Sequence, residues 1–309
     1  MHGLRRDYGL LLLLGSIWGG SFLFIKMAVA DIPPMTVAAT RIVIGAAVLA
    51  AVAAGRGQNL WRLRRHWRSL LIMGAFGTML PFALIGWGET HIDSGLAAIL
   101  MAAVPFNTIL LAHLFVREEP LSWGKILGVV LGFAGVAVLI GSEALNQLGG
   151  QALAQIAVLL ATVCYAVNSI IARRLNHFSG ETAGAGMLIA AAIFAVPLSL
   201  VLDRPWELAP SGTALFAVIT LGWLCTGAGY LLFFRIIASA GAGFVSLNNF
   251  LVPLFGVIWG AIVLSERLEP RAFIALLLIL AGVAAPRLLR PRQVAAKAQL
   301  DKSSTSAIE

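Results

Sequence analysis

Polar and aromatic side chains set inside long apolar runs are the residues of this chain whose types and spacing suit chemistry. Trp18 and Ser21 lie one helical turn apart in the first run, and Tyr165 and Asn168 keep that spacing in the sixth. An aromatic face offers area and cation-π attraction, while a hydroxyl or amide orients a polar ligand. These four residues therefore suit recognition of a small molecule in a cavity, the alternative being ordinary helix packing. Phe82 and Tyr230 are aromatics of the third and eighth runs, suited to a cavity wall or to packing against lipid. The amides of Asn107 in the fourth run and of Asn248 and Asn249 in the ninth are costly against lipid. Asn107 is expected to bond between helices, and the Asn248 pair to line a cavity.

Charges inside the runs are few. Away from the edges of the runs the Lys and Arg residues are Lys26 and Arg41, five to seven residues from the expected outer surface, where long side chains can snorkel. Asp31 is the expected partner of either in a rim ion pair, and attraction of a substrate carboxylate is the alternative. Every acidic residue falls at a membrane face or in a loop. With no carboxylate at the midplane, movement without proton coupling is expected, Glu89 and His91 at the outer end of the third run being the reserve proton carriers. Metal-helix, nucleophile-elbow and phosphate-loop signatures are missing, as are potassium-filter and Asn-Pro-Ala patterns. An enzyme such as a lipid-modifying transferase and a channel are both disfavoured, and no catalytic residue, metal or cofactor is expected. Cys164 and Cys225 lie inside apolar runs, with neither metal-ligand spacing nor a disulfide framework.

The elements that must position these groups are membrane helices. Of 309 residues, 60% are hydrophobic and 12% charged, and mean hydropathy is +0.92. Such a composition belongs in a bilayer. Crossing it takes roughly 20 apolar residues as a helix, and ten runs meet that demand: 9–30, 34–54, 69–87, 95–115, 124–141, 152–172, 182–202, 212–233, 241–264 and 271–287. The breaks carry turn and charge signals, among them Asp31-Ile32-Pro33-Pro34 and the basic Arg56 to Arg68 stretch. The net charge of +8 sits in short loops, which argues for membrane orientation rather than for nucleic acid. With the termini in the cytoplasm, the Lys and Arg residues outside the spans fall inside the cell, except Arg204, Arg267 and Arg271.

The chain also repeats itself. Trp18 answers to Tyr165, Ser21 to Asn168, Phe82 to Tyr230, Gly95 to Gly243, Pro105 to Pro253 and Glu119 to Glu266, which makes units of 9–141 and 152–287 followed by a disordered cytoplasmic tail, 288–309. The first run resembles a signal peptide, yet its repeat partner at 152–172 argues that it is retained. Five spans per unit is an odd number, so the second unit enters from the opposite side. Fold class is then all-α, ten transmembrane helices as two inverted five-helix repeats around a central cavity.

These residues resemble the EamA branch of the drug/metabolite transporter superfamily over about 9–287. The resemblance rests on Trp18-Gly19-Gly20-Ser21-Phe22, Arg41, Ser94-Gly95-Leu96-Ala97-Ala98 leading to Pro105, and the runs Arg117-Glu118-Glu119-Pro120-Leu121 and Leu264-Ser265-Glu266-Arg267-Leu268 with the Gly-containing helices after them. It implies ten helices around a central cavity, the fifth and tenth outside the ring, and movement of metabolites, commonly amino acids out of bacterial cells. Two departures stand out: Leu188 occupies the repeat position of Arg41, and Tyr165 that of Trp18. The expected activity is export of small metabolites, amino acids foremost and large apolar or aromatic ones among them, through the bacterial inner membrane by alternating access. Membrane lipid is the other expected partner, nucleic acid is not, and a monomer suffices although an oligomer is compatible. Gly15 and Gly19, Gly128 and Gly132, and Gly256 and Gly260 mark close helix approach. A loosely held Gly19 beside Trp18, and Pro105 and Pro253, each lacking a backbone donor, are the expected gating positions.

Overall fold

The computed structural model describes residues 2–115, 123–140, 150–172 and 178–288. Ten helical elements carry them: α1 His2–Val29, α2 Pro34–Gly55, α3 Leu60–Glu89 and α4 Ser94–Phe115, α5 Trp123–Ile140, α6 Gly150–Ala172, α7 Gly180–Leu202, α8 Gly212–Ala240 and α9 Ala242–Val263, and α10 Pro270–Leu288. Among the described residues there is no strand. Eight of the helices are long and apolar enough to cross a membrane, while α5 and α10 are shorter apolar helices.

Local chemistry sets the ends. Pro34 opens α2, where the missing N–H costs nothing. Ser179 Oγ accepts from Thr182 N at 3.3 Å and Ser211 Oγ from Ala214 N at 3.2 Å, capping α7 and α8. Two expected breaks differ. The basic stretch after α2 folds as a 3-10 turn, Leu60–His66, that opens α3, because Leu63 and Leu70 are buried in one apolar cluster with Met187. The eighth helix continues to Ala240, beyond the expected 233, since Gly241 at φ +86° makes the turn into α9 by itself. The tail from 289 on and the Arg117 to Leu121 motif lie outside the described residues.

Helix neighbours close a ring. Going round, α1 packs on α8, α8 on α2, α2 on α7, α7 on α3, α3 on α6, α6 on α4, α4 on α9, and α9 on α1. Exchanging each helix of the first five for its counterpart in the second five reproduces the same pairs. The shorter α5 and α10 pair with each other beside α4 and α9, where Gly282 meets Gly128 O and Gly132 N, so the close approach read from Gly128 and Gly132 is present.

Counterpart helices run antiparallel where they touch. At the start of α2, Thr36 N and Oγ1 donate to Asp203 Oδ2 at 2.7 and 2.8 Å, at the end of α7. At the other end Arg56 bridges to Glu181 at 2.5 Å, and Thr182 Oγ1 donates to Gln58 Oε1 at 2.6 Å. In the second pair Gly135 lies against Ala275 and Ile279, whereas Gly128 lies against Gly282.

Further polar ties cross between the halves. The Glu266 carboxylate accepts from Ser94 N at 2.8 Å, Ser94 Oγ at 3.0 Å and Gly95 N at 3.0 Å, capping the start of α4 from the α9–α10 connection. A charged cap on free helix N–H groups contributes roughly 1–2 kcal/mol, so Glu266→Ala is expected to lower the thermal midpoint in detergent by several degrees, with Glu266→Gln recovering part of it. Elsewhere Asp31 accepts from Ser211 N at 3.2 Å and from Ser211 Oγ, which holds its carboxyl below the usual range. A lowered carboxylate pKa stabilises above the unfolded value of about 3.9 and that contribution is lost as pH falls through the folded value. Wild type and Asp31→Asn should therefore differ in thermal midpoint at neutral pH and converge in strong acid.

Candidate functional site

The site is built on a widened turn. Ala75–Met79 of α3 and Leu221–Ala228 of α8 are π-helical at repeat-equivalent places, a geometry that shifts backbone groups off the regular ladder and is frequent at functional sites. In α8 it leaves Cys225 O to accept the indole N–H of Trp18 at 3.0 Å, from α1. It also points the Thr226 hydroxyl, which donates to Leu221 O at 2.9 Å, toward α2.

Arg41 of α2 meets that hydroxyl. Its Nε donates to Thr226 Oγ1 at 3.2 Å and an Nη to Ser21 Oγ at 3.5 Å, and its guanidinium carbon stands 3.8 Å from the ring centre of Phe82. Only 6% of Arg41 is exposed. Tyr165 packs with Phe82 in one apolar cluster, and Trp18 meets Tyr230 edge-on at 6.0 Å and Phe233 at 5.3 Å. Trp18, Ser21, Arg41, Phe82, Tyr165, Thr226 and Tyr230 thus form one group drawn from five helices and both halves.

The expected rim ion pair is not what holds Arg41. Asp31 is committed to Ser211, and among the described residues no carboxylate lies in ion-pair contact with the guanidinium. A buried cation needs partners, and here they are two hydroxyls and an aromatic face, all neutral. Lys26 is likewise free of Asp31: its Nζ donates to Glu89 O and Ile92 O, both at 2.8 Å, a tie from α1 to the α3–α4 turn. Glu89 ends α3, at the helix end expected for it, yet it is 0% exposed and neither carboxylate oxygen has a hydrogen-bond partner.

The remaining candidates sit apart from Arg41. Asn168 donates to Met187 Sδ at 3.9 Å and lies against Gly77, its carbonyl oxygen buried without a partner. Asn248 is buried against Gly15 of α1, its carbonyl oxygen also unpartnered, and Asn249 beside it is half-buried. Asn107 bonds between helices as expected, donating to Thr162 Oγ1 at 2.7 Å. Gly19 is not loosely held. A methyl group there would meet Phe255 Cβ at 2.6 Å, Gly256 N at 2.8 Å and Val252 O at 2.9 Å, so α1 and α9 are in backbone contact. Pro105 is the second residue of the helical segment that resumes after the turn at Ala102 and Ala103 interrupting α4, whereas Pro253 lies inside the regular part of α9.

Thr226 escaped the sequence reading, though a signal was present. Thr78 stands at its repeat position, a second hydroxyl within an apolar run. The pair also shows why the site is one-sided: Leu188 replaces the arginine that would reach Thr78, and the Thr78 hydroxyl is fully buried without a partner.

A polytopic helical bundle with a polar, aromatic group enclosed between two similar halves defines a membrane transporter. The EamA-like transporter family model matches residues 7–141 and again 152–285, and the chain belongs to that family. It is 23% identical over 268 residues to the uncharacterized transporter YoaV of Bacillus subtilis, covering 86% of this chain and 91% of that one. A probable amino-acid metabolite efflux pump of Escherichia coli is 26% identical over 295 residues, 90% of this chain and 94% of that one. One solved crystal structure matches with a TM-score of 0.67 at 21% identity over 92% of this chain and 98% of that one, a likeness of fold.

Proposed function

We propose that the protein exports small carboxylate-bearing metabolites, amino acids with large apolar or aromatic side chains foremost, through the bacterial inner membrane. The observation that carries this reading is Arg41: a buried guanidinium between the halves, held by neutral groups and in contact with no carboxylate among the described residues. A substrate carboxylate completes it, since the planar fork binds carboxylates in two-pronged fashion. Trp18, Tyr165 and Tyr230 then give an apolar side chain aromatic surface. The amino-acid efflux pump among the relatives supports the same substrate class.

The working architecture is two inverted five-helix units, 9–141 and 152–287, as ten spans with both termini cytoplasmic. The exchange symmetry of helix neighbours and the antiparallel contacts of α2 with α7 and of α5 with α10 support it. Alternating access by rocking one unit against the other needs only one chain, and transport is the whole activity, with no covalent chemistry. In proteoliposomes, radiolabelled amino acids should show saturable counterflow that Trp18→Ala and Tyr165→Ala each weaken several-fold; unaltered counterflow in both variants would remove these residues from the substrate path.

Substrate runs down its own gradient in this scheme. Proton-coupled antiport is the second reading, favoured by one observation: Glu89 is enclosed with both oxygens unpartnered, a setting in which a neutral carboxyl is less costly than a charged one. A substrate-driven pH change inside liposomes that disappears in Glu89→Gln would decide for antiport, and its absence in wild type decides for uniport.

A further inference from the structure

Where α2 ends and α3 and α7 begin, the chain builds a basic and aromatic cavity remote from Arg41. Asn59 accepts from Trp61 N at 2.9 Å and starts the turn Leu60–His66. Leu63 and Leu70 pin that turn to α7, where Gly186 leaves room for Leu63. Its opposite side walls a cavity of about 460 Å³ with Trp61, Arg62, Arg64, Arg65, His66 and Phe178, a volume within the range of ligand sites. No carboxylate is among these residues. Glu181, at the start of α7, is taken by Arg56, and Arg62, Arg64 and Arg65 form no ion pair among the described residues.

Position decides what such a cavity holds. It lies level with three helix ends, at the depth where the apolar spans give way to water. Trp61 and Trp67 are 70% and 54% exposed there, costly in water but favourable among headgroups. The Arg64 guanidinium stands 5.2 Å from the Trp61 ring and that of Arg68 5.4 Å from the Trp67 ring, so indole and cation face outward together. We propose that this cavity binds the phosphodiester headgroup of an anionic phospholipid, the forks of Arg62, Arg64 and Arg65 taking the phosphate while Trp61 sits among neighbouring headgroups. Free phosphate shares the anion chemistry but gives the exposed indoles no role.

Full-length protein in nanodiscs of phosphatidylcholine doped with phosphatidylglycerol, read by native mass spectrometry, tests the assignment. Wild type should retain phosphatidylglycerol over phosphatidylcholine by about tenfold, as expected for charge-assisted two-pronged contacts. Joint Arg→Gln replacement at 62, 64 and 65 should abolish the preference. Joint Arg→Lys replacement, which keeps charge and loses the fork, should reduce it several-fold. Counterflow in pure phosphatidylcholine liposomes should stay at the wild-type level in both, which reports that they fold. An undiminished preference in the Lys variant would mean diffuse attraction to the membrane surface, and displacement of the lipid from wild type by millimolar inorganic phosphate would mean a soluble anion site; either overturns the proposal. Should the Gln variant fail to fold, the Lys variant and the phosphate competition still decide.

Discussion

Arg41→Gln is expected to weaken carboxylate substrates by about a hundredfold in apparent affinity, close to 2.7 kcal/mol, the scale of losing a buried charge-assisted contact. Arg41→Lys should fall between, because an ammonium keeps the charge but cannot span Thr226 and Ser21 while lying flat on Phe82. Stability should move the other way. A buried cation without an anionic partner costs folding free energy, so the Gln variant should unfold at the same temperature or higher. Measured together, substrate affinity from counterflow and thermal midpoint in detergent separate the two roles open to Arg41. A residue kept for structure would lower the midpoint and leave the affinity of the surviving protein intact. The same pair of readouts on Thr226→Val should show a smaller loss of affinity, since Thr226 orients Arg41 through one hydrogen bond.

The second large effect belongs to Gly19. Two of the three atoms a methyl group would strike, Gly256 N and Val252 O, are backbone and cannot rotate away. Forcing α1 and α9 apart by overpacking costs about 1–3 kcal/mol for one methyl group, so Gly19→Ala should lower the thermal midpoint and Gly19→Leu should leave little folded protein. Gly9, in the same helix, has open space around it, and Gly9→Ala should be neutral or slightly stabilising, as alanine is the better helix former. A Gly19→Ala protein as stable as the Gly9→Ala protein would show that α1 and α9 do not meet as described. Because α1 carries Trp18 and Ser21, the same contact fixes the register of the aromatic group against α9.

Sequence made the membrane helices legible, because an apolar run of span length has few other folds open to it. The repeat was legible for a similar reason: fixed spacing between Trp18 and Tyr165, Phe82 and Tyr230, or Pro105 and Pro253 survives divergence of everything between. Helix ends were less so. A single residue, Gly241, replaces a connection expected to take several, and the basic stretch after α2 is structured only because Leu63 and Leu70 find α7. Membership of Trp18, Ser21, Phe82, Tyr165 and Tyr230 in one region could be read from type and repeat position. Burial of Arg41 and Glu89 could not. Distance from a helix end measures depth along the membrane, whereas access to water depends on what the neighbouring helices place around a side chain, and those neighbours are remote in sequence. Thr226 touches Arg41 across 185 residues of chain. The π turn that presents Thr226 is invisible in composition, because widening a turn leaves the residue types of a mainly apolar run unchanged.

The most direct test of the account uses unmodified protein and a pair of ligands. Counterflow of a radiolabelled large amino acid in proteoliposomes is competed with unlabelled phenylalanine and with phenethylamine, which keeps the ring and the amine and lacks the carboxylate. Recognition through Arg41 predicts strong competition by phenylalanine and almost none by the amine. Equal competition by both would contradict it, leaving Arg41 without a ligand to answer its charge.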